Sequence, residues 1–381
     1  MRLLNTRTLQ FQEFFDSQIP KYAILSHRWG NEEVTFQEFR KGKKQHHEGY
    51  VKIEQCSVLA GSRGFQWVWI DTCCIDKKSS AELSEAINSM YRWYQGAGEC
   101  YAYLSDVTWD SRDIEGSKKV FGQSLWFTRG WTLQELLAPD QVIFFDNKWN
   151  SFGTKQDLRT KISAVTGIEA NYVISIPPKY FSNAPCVAKK MSWLSRRVTS
   201  RAEDMAYCML GLFDVNMPLL YGEGGKKAFL RLQLEIIRKS DDESIFAWTS
   251  NRNSSGMLAF HPSDFANSGD ITICGSSGKK RFPYFMTNQG LEFQVPVRKY
   301  TKRKASDNHS LLPERVSLAL NCWRDGGKGD CAITIAFKWY GKSWHRIKCD
   351  SLPSIESVKD SMSEDGRFKY TAALHIHQPG L

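Results

Sequence analysis

Four consecutive apolar residues, Trp67-Val68-Trp69-Ile70, run directly into Asp71. A strand with one wet face alternates apolar and polar side chains, so a strand with no polar position must be covered on both faces. Such strands belong to parallel sheets sandwiched between helices. The flanking segments fit that plan. Tyr22-Ala23-Ile24-Leu25-Ser26 is a short apolar run ending in the turn-prone His27-Arg28-Trp29-Gly30, and a polar helical region near residues 35–62 follows. Ser79 and Glu82 form a capping-box pattern that opens a helix with Leu83, Ala86, Ile87, Met90 and Tyr94 at helical spacing. Tyr101-Ala102-Tyr103-Leu104 and Val142-Ile143-Phe144-Phe145 read as further strands. Strand and helix in alternation imply right-handed crossovers and a parallel sheet, so residues 1–150 are expected to form an α/β core.

The texture changes twice further on. Residues 151–250 read as mainly helical. Thr199 or Ser200, with Glu203 following, starts a helix to about Leu212; Asp214 to Pro218 breaks it; a second helix carries Phe229, Leu232, Ile236 and Ile237 on one face. From residue 251 to 381 short β-prone runs alternate with Gly, Ser and Asn, as in Ile271-Thr272-Ile273, Val316 to Leu320 and Ala332 to Phe337. That pattern predicts an antiparallel β-rich region. Ser351 to Gly366 is polar and reads as a loop.

A chain of 381 residues accommodates this organisation in more than one domain. No apolar run approaches the roughly 20 residues of a membrane span. The N-terminal MRLLNTRTLQF is interrupted by Asn5, Thr6 and Arg7, which argues against a signal peptide. Ten cysteines stand without metal-ligand spacing, so they read as reduced thiols of a cytoplasmic protein. Lys plus Arg, 51, exceed Asp plus Glu, 41, by 10, which favours anionic partners such as nucleotides, nucleic acids or acidic lipid surfaces. Part of that excess lies in Lys279-Lys280-Arg281 and in Arg298 to Lys304. These are solvated loops or, alternatively, a nuclear import signal. No zinc finger, RNA-recognition signature or basic zipper accompanies them, so nucleic acid is not the expected partner.

One pair stands out for chemistry. Trp131 and Glu135 are four residues apart in WFTRGWTLQELLAP, on a short helix between two strand-like runs. That spacing puts an indole and a carboxyl on one helical face, near the sheet end where open α/β folds bind small molecules. Two readings of Glu135 stand side by side. Thr132-x-x-Glu135 is itself a capping-box pattern, which gives the carboxyl a backbone role. The other reading is a catalytic carboxylate.

Several co-linear segments resemble the fungal heterokaryon incompatibility (HET) domain. They are YAILSHRWG (22–30), WIDTCCID (69–76), residues 86–94, GWTLQELLAP (130–139), TSRAEDMAYCMLGLFD (199–214), MPLLYGEG (217–224) and SDDESIFAW (240–248). The family's core in turn resembles a divergent Toll/interleukin-1 receptor (TIR) domain, whose fold is flavodoxin-like. The resemblance implies non-self recognition and regulated cell death. Trp131 to Glu135 matches the Trp-x-x-x-Glu motif of TIR domains that cleave NAD, which implies that Glu135 is catalytic. It also implies that Trp131 walls the site. Ser26 ends the first strand, and His27, Arg28, Trp29, Asp71, Asp76 and Lys77 lie in loops at the same predicted sheet edge; these are the expected substrate contacts, with loop capping the alternative for Asp71 and Asp76, a surface ion pair for Arg28 and a structural role for His27. NAD is then the substrate, with no cofactor and no metal, and the products are nicotinamide and linear or cyclic ADP-ribose. Cleaving the nicotinamide–ribose bond passes through an oxocarbenium-like transition state. Nicotinamide leaves neutral from a cationic ring, so one carboxylate suffices. The resemblance further implies a homo-oligomer assembled through the TIR-like core. Either an outside protein activates it or residues 251–381 restrain it. A non-enzymatic signalling or self-association module is the alternative.

Overall fold

The computed structural model describes all residues except 178–183, 274–282, 289, 298–314, 326–331, 341–342, 353–369, 377 and 379–381. Both basic clusters, 279–281 and 298–304, and all but the first two residues of the polar segment 351–366 lie outside the described residues. The chain divides into two compact units that exchange segments: residues 1–177 with 197–222, and 178–196 with 223–381.

The first unit is built on a seven-stranded sheet. Its strands are β1 (Arg2–Asn5), β2 (Phe11–Glu13), β3 (Tyr22–His27), β4 (Trp67–Trp69), β5 (Glu99–Tyr103), β6 (Val142–Phe145) and β7 (Ser151–Thr154), in the order β2-β1-β4-β3-β5-β6-β7. The inner four, β4-β3-β5-β6, pair in parallel. Every residue of β3 and β4 is buried, as the unbroken apolar runs require. Helices cross between these strands. They are α1 (Phe36–Arg40), α2 (Glu48–Ser62), α3 (Asp71–Cys74), α4 (Ser80–Gln95), α5 (Ile114–Gln123) and α6 (Thr132–Leu137). The first strand in the parallel set, β3, lies between the second and the third, so the strand order reverses beside it. In open α/β sheets the carboxyl ends of strands at such a reversal form the ligand crevice.

The sheet departs from the fully parallel expectation at both edges. β1 runs antiparallel to β4, β2 to β1, and β7 to β6. Leu3 and Leu4 are fully buried on β1, and the polar Asn5-Thr6-Arg7 is the turn of a hairpin. Asn5 Oδ1 accepts from the Arg7 and Thr8 amides there, and Leu9 sits at φ 54°. The polar helical region at 35–62 comprises two helices, interrupted where Gly42 and Lys44 take φ of 62° and 61°. Ser79 caps α4 through the Glu82 amide, but the Glu82 carboxyl turns to the Asp76 amide and to Arg2. The helix expected from about 199 to 212 reduces to Asp204–Tyr207 and a 3-10 turn, Gly211–Phe213. Gly211 lies against Tyr91 of α4 so closely that a Cβ would fall 2.0 Å from the Tyr91 Cβ. Asp214 then ends the segment in a left-handed conformation.

Gly49, early in α2, fixes the loop that follows β3. A Cβ there would lie 2.4 Å from the Glu32 carbonyl oxygen and 2.8 Å from the Glu33 Cα. Backbone cannot yield as a side chain does. Gly49→Ala should therefore destabilise the protein by about 3 kcal/mol, the upper end of overpacking costs, and displace residues 31–34. Chemical denaturation reads the first effect; an unchanged midpoint would show that the loop tolerates the shift.

In the second unit, described residues form an antiparallel-rich sheet. Its order is Tyr284–Thr287, Gly290–Val297, Tyr370–Ile376, Trp344–Ile347, Thr334–Trp339 and Arg315–Ala319, with one parallel pairing, between the third and fourth. The β-rich reading of 251–381 is thus met. Buried Arg346 donates to the Phe246 and Trp248 carbonyls, and its guanidinium lies 3.8 Å from the Trp248 ring centroid. Among the described residues no helix is long and apolar enough to cross a membrane.

Candidate functional site

β3 ends in Ser26 and His27, and α6 approaches that end with Glu135. Ser26 Oγ donates to Glu135 Oε2 at 2.5 Å and accepts from the Trp126 indole nitrogen at 2.9 Å. All three are buried: Ser26 0%, Trp126 1% and Glu135 7% exposed. The helix-cap reading of Glu135 does not describe this geometry. Thr132 Oγ1 faces the carbonyls of Trp126 at 2.6 Å and Arg129 at 2.9 Å, and Trp131 holds the N-cap position with no side-chain cap bond. The Glu135 carboxyl is left to Ser26.

Burial is the main influence on that carboxyl and pushes it up to about 8. The Ser26 hydrogen bond opposes the rise, Asp71 adds to it, and Arg129 and Arg197 oppose it. Glu135 is therefore largely protonated at neutral pH in the free protein. Tyr94 lies beside it, and burial raises the phenol well above its ordinary value. The Tyr94 hydroxyl donates to the Leu25 carbonyl at 2.9 Å. Arg197 is buried under α6 and donates to the Arg129 carbonyl at 2.9 Å and to Thr132 Oγ1 at 3.1 Å. Burial lowers Arg197 to about 10, against the attraction of Cys208 and Glu135.

A second cluster adjoins the first through Asp71, the first residue of α3. Asp71 Oδ2 accepts from the Trp29 indole at 2.8 Å, with Lys77 Nζ 3.7 Å away. His27 Nε2 stands 3.7 Å from Glu33 Oε1 and 3.9 Å from Asp71 Oδ1. Its side chain is 1% exposed, and among the described residues neither ring nitrogen has a hydrogen-bond partner. Glu33 is held down to about 2: burial raises it, but His27 and Lys52 outweigh burial. The Lys77 ammonium lies 3.4 Å from the Trp29 ring centroid, and burial lowers its pKa against the pull of Asp71.

The fold thus gathers Ser26, His27, Trp29, Asp71, Lys77 and Glu135 around the end of β3. Three expected residues stand apart from this group. Asp76 accepts from Gln37 Nε2 at 2.6 Å and from the Lys78 amide at 3.1 Å, a loop-closing arrangement. Arg28 is exposed and lines an open cleft of about 440 Å³ with Trp29, Gly30, Asn31, Glu32 and Glu48. Trp131, half-buried, lies near Asp204, whose carboxyl accepts from Tyr221 at 3.0 Å. Sequence reasoning passed over Trp126, Tyr94 and Arg197. Trp126 opens the segment that carries Glu135, so its proximity was legible; nothing in the sequence joins Arg197 to Glu135. No group of three or more His, Cys, Asp or Glu able to hold a metal occurs among the described residues.

Residues 22–119 match the family model described as heterokaryon incompatibility protein (HET). A 229-residue stretch is 48% identical to the vegetative incompatibility protein HET-E-1 of Podospora anserina. That stretch covers 59% of this chain and 16% of that relative, so the chain spans a small part of it. No solved structure matches the chain. Within the HET-matching segment lie Ser26, His27, Arg28, Trp29, Asp71, Asp76 and Lys77; Trp131 and Glu135 lie beyond it.

Proposed function

We propose that this chain is a TIR-like NAD glycohydrolase acting in heterokaryon incompatibility, releasing nicotinamide and ADP-ribose or a cyclic variant. The observation that carries the reading is the buried Glu135 carboxyl, hydrogen-bonded by Ser26 at the carboxyl end of β3. A carboxyl kept neutral by burial ionises when a fixed cation arrives, because the new opposite charge replaces the missing solvation. Nicotinamide riboside supplies that cation. As the glycosidic bond breaks, positive charge moves from the ring nitrogen onto the ribose, and the Glu135 carboxylate stabilises it there. Asp71 and His27 offer polar contacts for ribose hydroxyls. The HET match and the likeness to a vegetative incompatibility protein support the biological setting. Self-association through the TIR-like core belongs to the same reading, as does activation by another protein.

Nicotinamide release from NAD by the purified protein, measured over a wide range of protein concentration, tests the proposal. Release should rise more steeply than in proportion to protein if assembly completes the site. No release at any concentration, with the chain folded, would leave the self-association module as the better account.

A further inference from the structure

We propose that Trp29 is the stacking platform for the adenine of the nucleotide, an inference that rests on the nucleotide reading of the Glu135 site. Trp69, Trp126 and Trp248 are at most 1% exposed, whereas Trp29 is 43% exposed. An exposed indole is ordinarily free to turn. Here its nitrogen is fixed by the 2.8 Å bond to Asp71 Oδ2, and the Lys77 ammonium rests 3.4 Å from the ring centroid. The ring is held in place while part of its surface stays open. That combination lowers the ordering cost of stacking.

The same ring lines the open cleft of about 440 Å³. Charge decides which end of the dinucleotide belongs here. The Lys77 ammonium at the ring disfavours a second cation in the stack and leaves neutral adenine as the suitable base. The cationic nicotinamide is drawn instead to Glu135. Glu32 and Glu48 line the cleft and can accept from ribose hydroxyls, and Arg28 supplies a cation for phosphate. Glu32 Oε2 also accepts from the Glu48 amide at 3.4 Å and lies 3.9 Å from His47 Nδ1. Asp71 joins the two ends, since it anchors Trp29 and acts electrostatically on Glu135.

The test is calorimetric titration of ADP and, separately, ribose 5-phosphate into wild type, Trp29→Ala and Trp29→Phe. Stacking predicts that Trp29→Ala weakens ADP binding roughly 5- to 150-fold. Trp29→Phe should bind ADP between wild type and Trp29→Ala, since a phenyl face still stacks but has no N–H to hold it on Asp71. Ribose 5-phosphate, which has no base, should bind all three alike. The proposal is overturned if wild type holds ADP no more tightly than ribose 5-phosphate, or if Trp29→Ala binds ADP like wild type. Should Trp29→Ala fail to fold, the wild-type comparison of the two ligands and the Phe variant still decide. Stacking of ADP without nicotinamide release would remove the hydrolase reading and keep this one.

Discussion

Glu135→Gln is expected to lose roughly 100- to 1,000-fold in nicotinamide release and, above neutral pH, to be more stable than wild type. The two effects have one cause. Glutamine keeps the shape of the side chain and an oxygen for the Ser26 hydroxyl, but it cannot ionise. The reaction needs the charge opposite a developing cation, whereas the fold is burdened by that charge. The sign follows from proton binding. The unfolded carboxyl titrates near 4.5 and the folded one near 8, so between these values the folded state holds a proton that the unfolded state has released. Stability from this group is complete below 4.5. It falls by about 1.4 kcal/mol for each pH unit up to about 8, then levels off. Glu135→Gln lacks this slope. Denaturation midpoints from pH 5 to pH 9 should therefore diverge in favour of the variant as pH rises. Parallel curves would mean that Glu135 is ionised in the free protein and would remove the physical basis of the proposed site. Divergent curves without any loss of nicotinamide release would separate the tuned carboxyl from the chemistry.

The parallel core was readable because each of its strands carries an unbroken apolar run of at least three residues, and such runs call for cover on both faces. The edges were not. β1 contains only Arg2–Asn5, and its two buried leucines are too short a signal to weigh against the polar turn that follows. The segment after Thr199 misled for a different reason. Its capping pattern is present in the sequence, but the α-helix is confined to Asp204–Tyr207, and Gly211 packs against Tyr91 of α4, a contact that no pattern within the segment shows. The same division runs through the site. The loops after β3 and β4 were legible, because apolar strands ending in polar residues place those residues at the sheet edge. What the carboxyl does there was not. Capping and catalysis share one sequence pattern at Thr132 and Glu135, and only the direction of two side chains separates them. Thr132 turns to carbonyls, Glu135 to Ser26, and Arg197 arrives from 62 positions beyond Glu135, a distance no local pattern spans.

Ser26→Ala tests how that carboxyl is tuned. The Ser26 hydroxyl donates to Glu135, and this bond favours the ionised form, partly countering the rise that burial imposes. Removing it should send the Glu135 pKa higher still. For wild type, kcat/KM should climb about tenfold per pH unit below about 8 and flatten above it, since the free enzyme must lose a proton to become active. The kcat limb should lie at lower pH, because the bound nicotinamide cation favours the carboxylate. A hydrogen bond to a charged group contributes roughly 1.5–3 kcal/mol, so Ser26→Ala should move the kcat/KM limb upward by about one to two pH units. At pH 7 this amounts to a loss of roughly 10- to 100-fold that alkaline buffer restores. The variant also strips the buried Trp126 indole of its acceptor, at a cost of about 1–3 kcal/mol in stability. That second effect distinguishes tuning from damage. A merely weakened fold lowers activity equally across the pH range, whereas loss of the Ser26 hydrogen bond displaces the profile. An unshifted limb in Ser26→Ala would show that burial alone sets the Glu135 charge, with Ser26 serving only to seat the Trp126 indole.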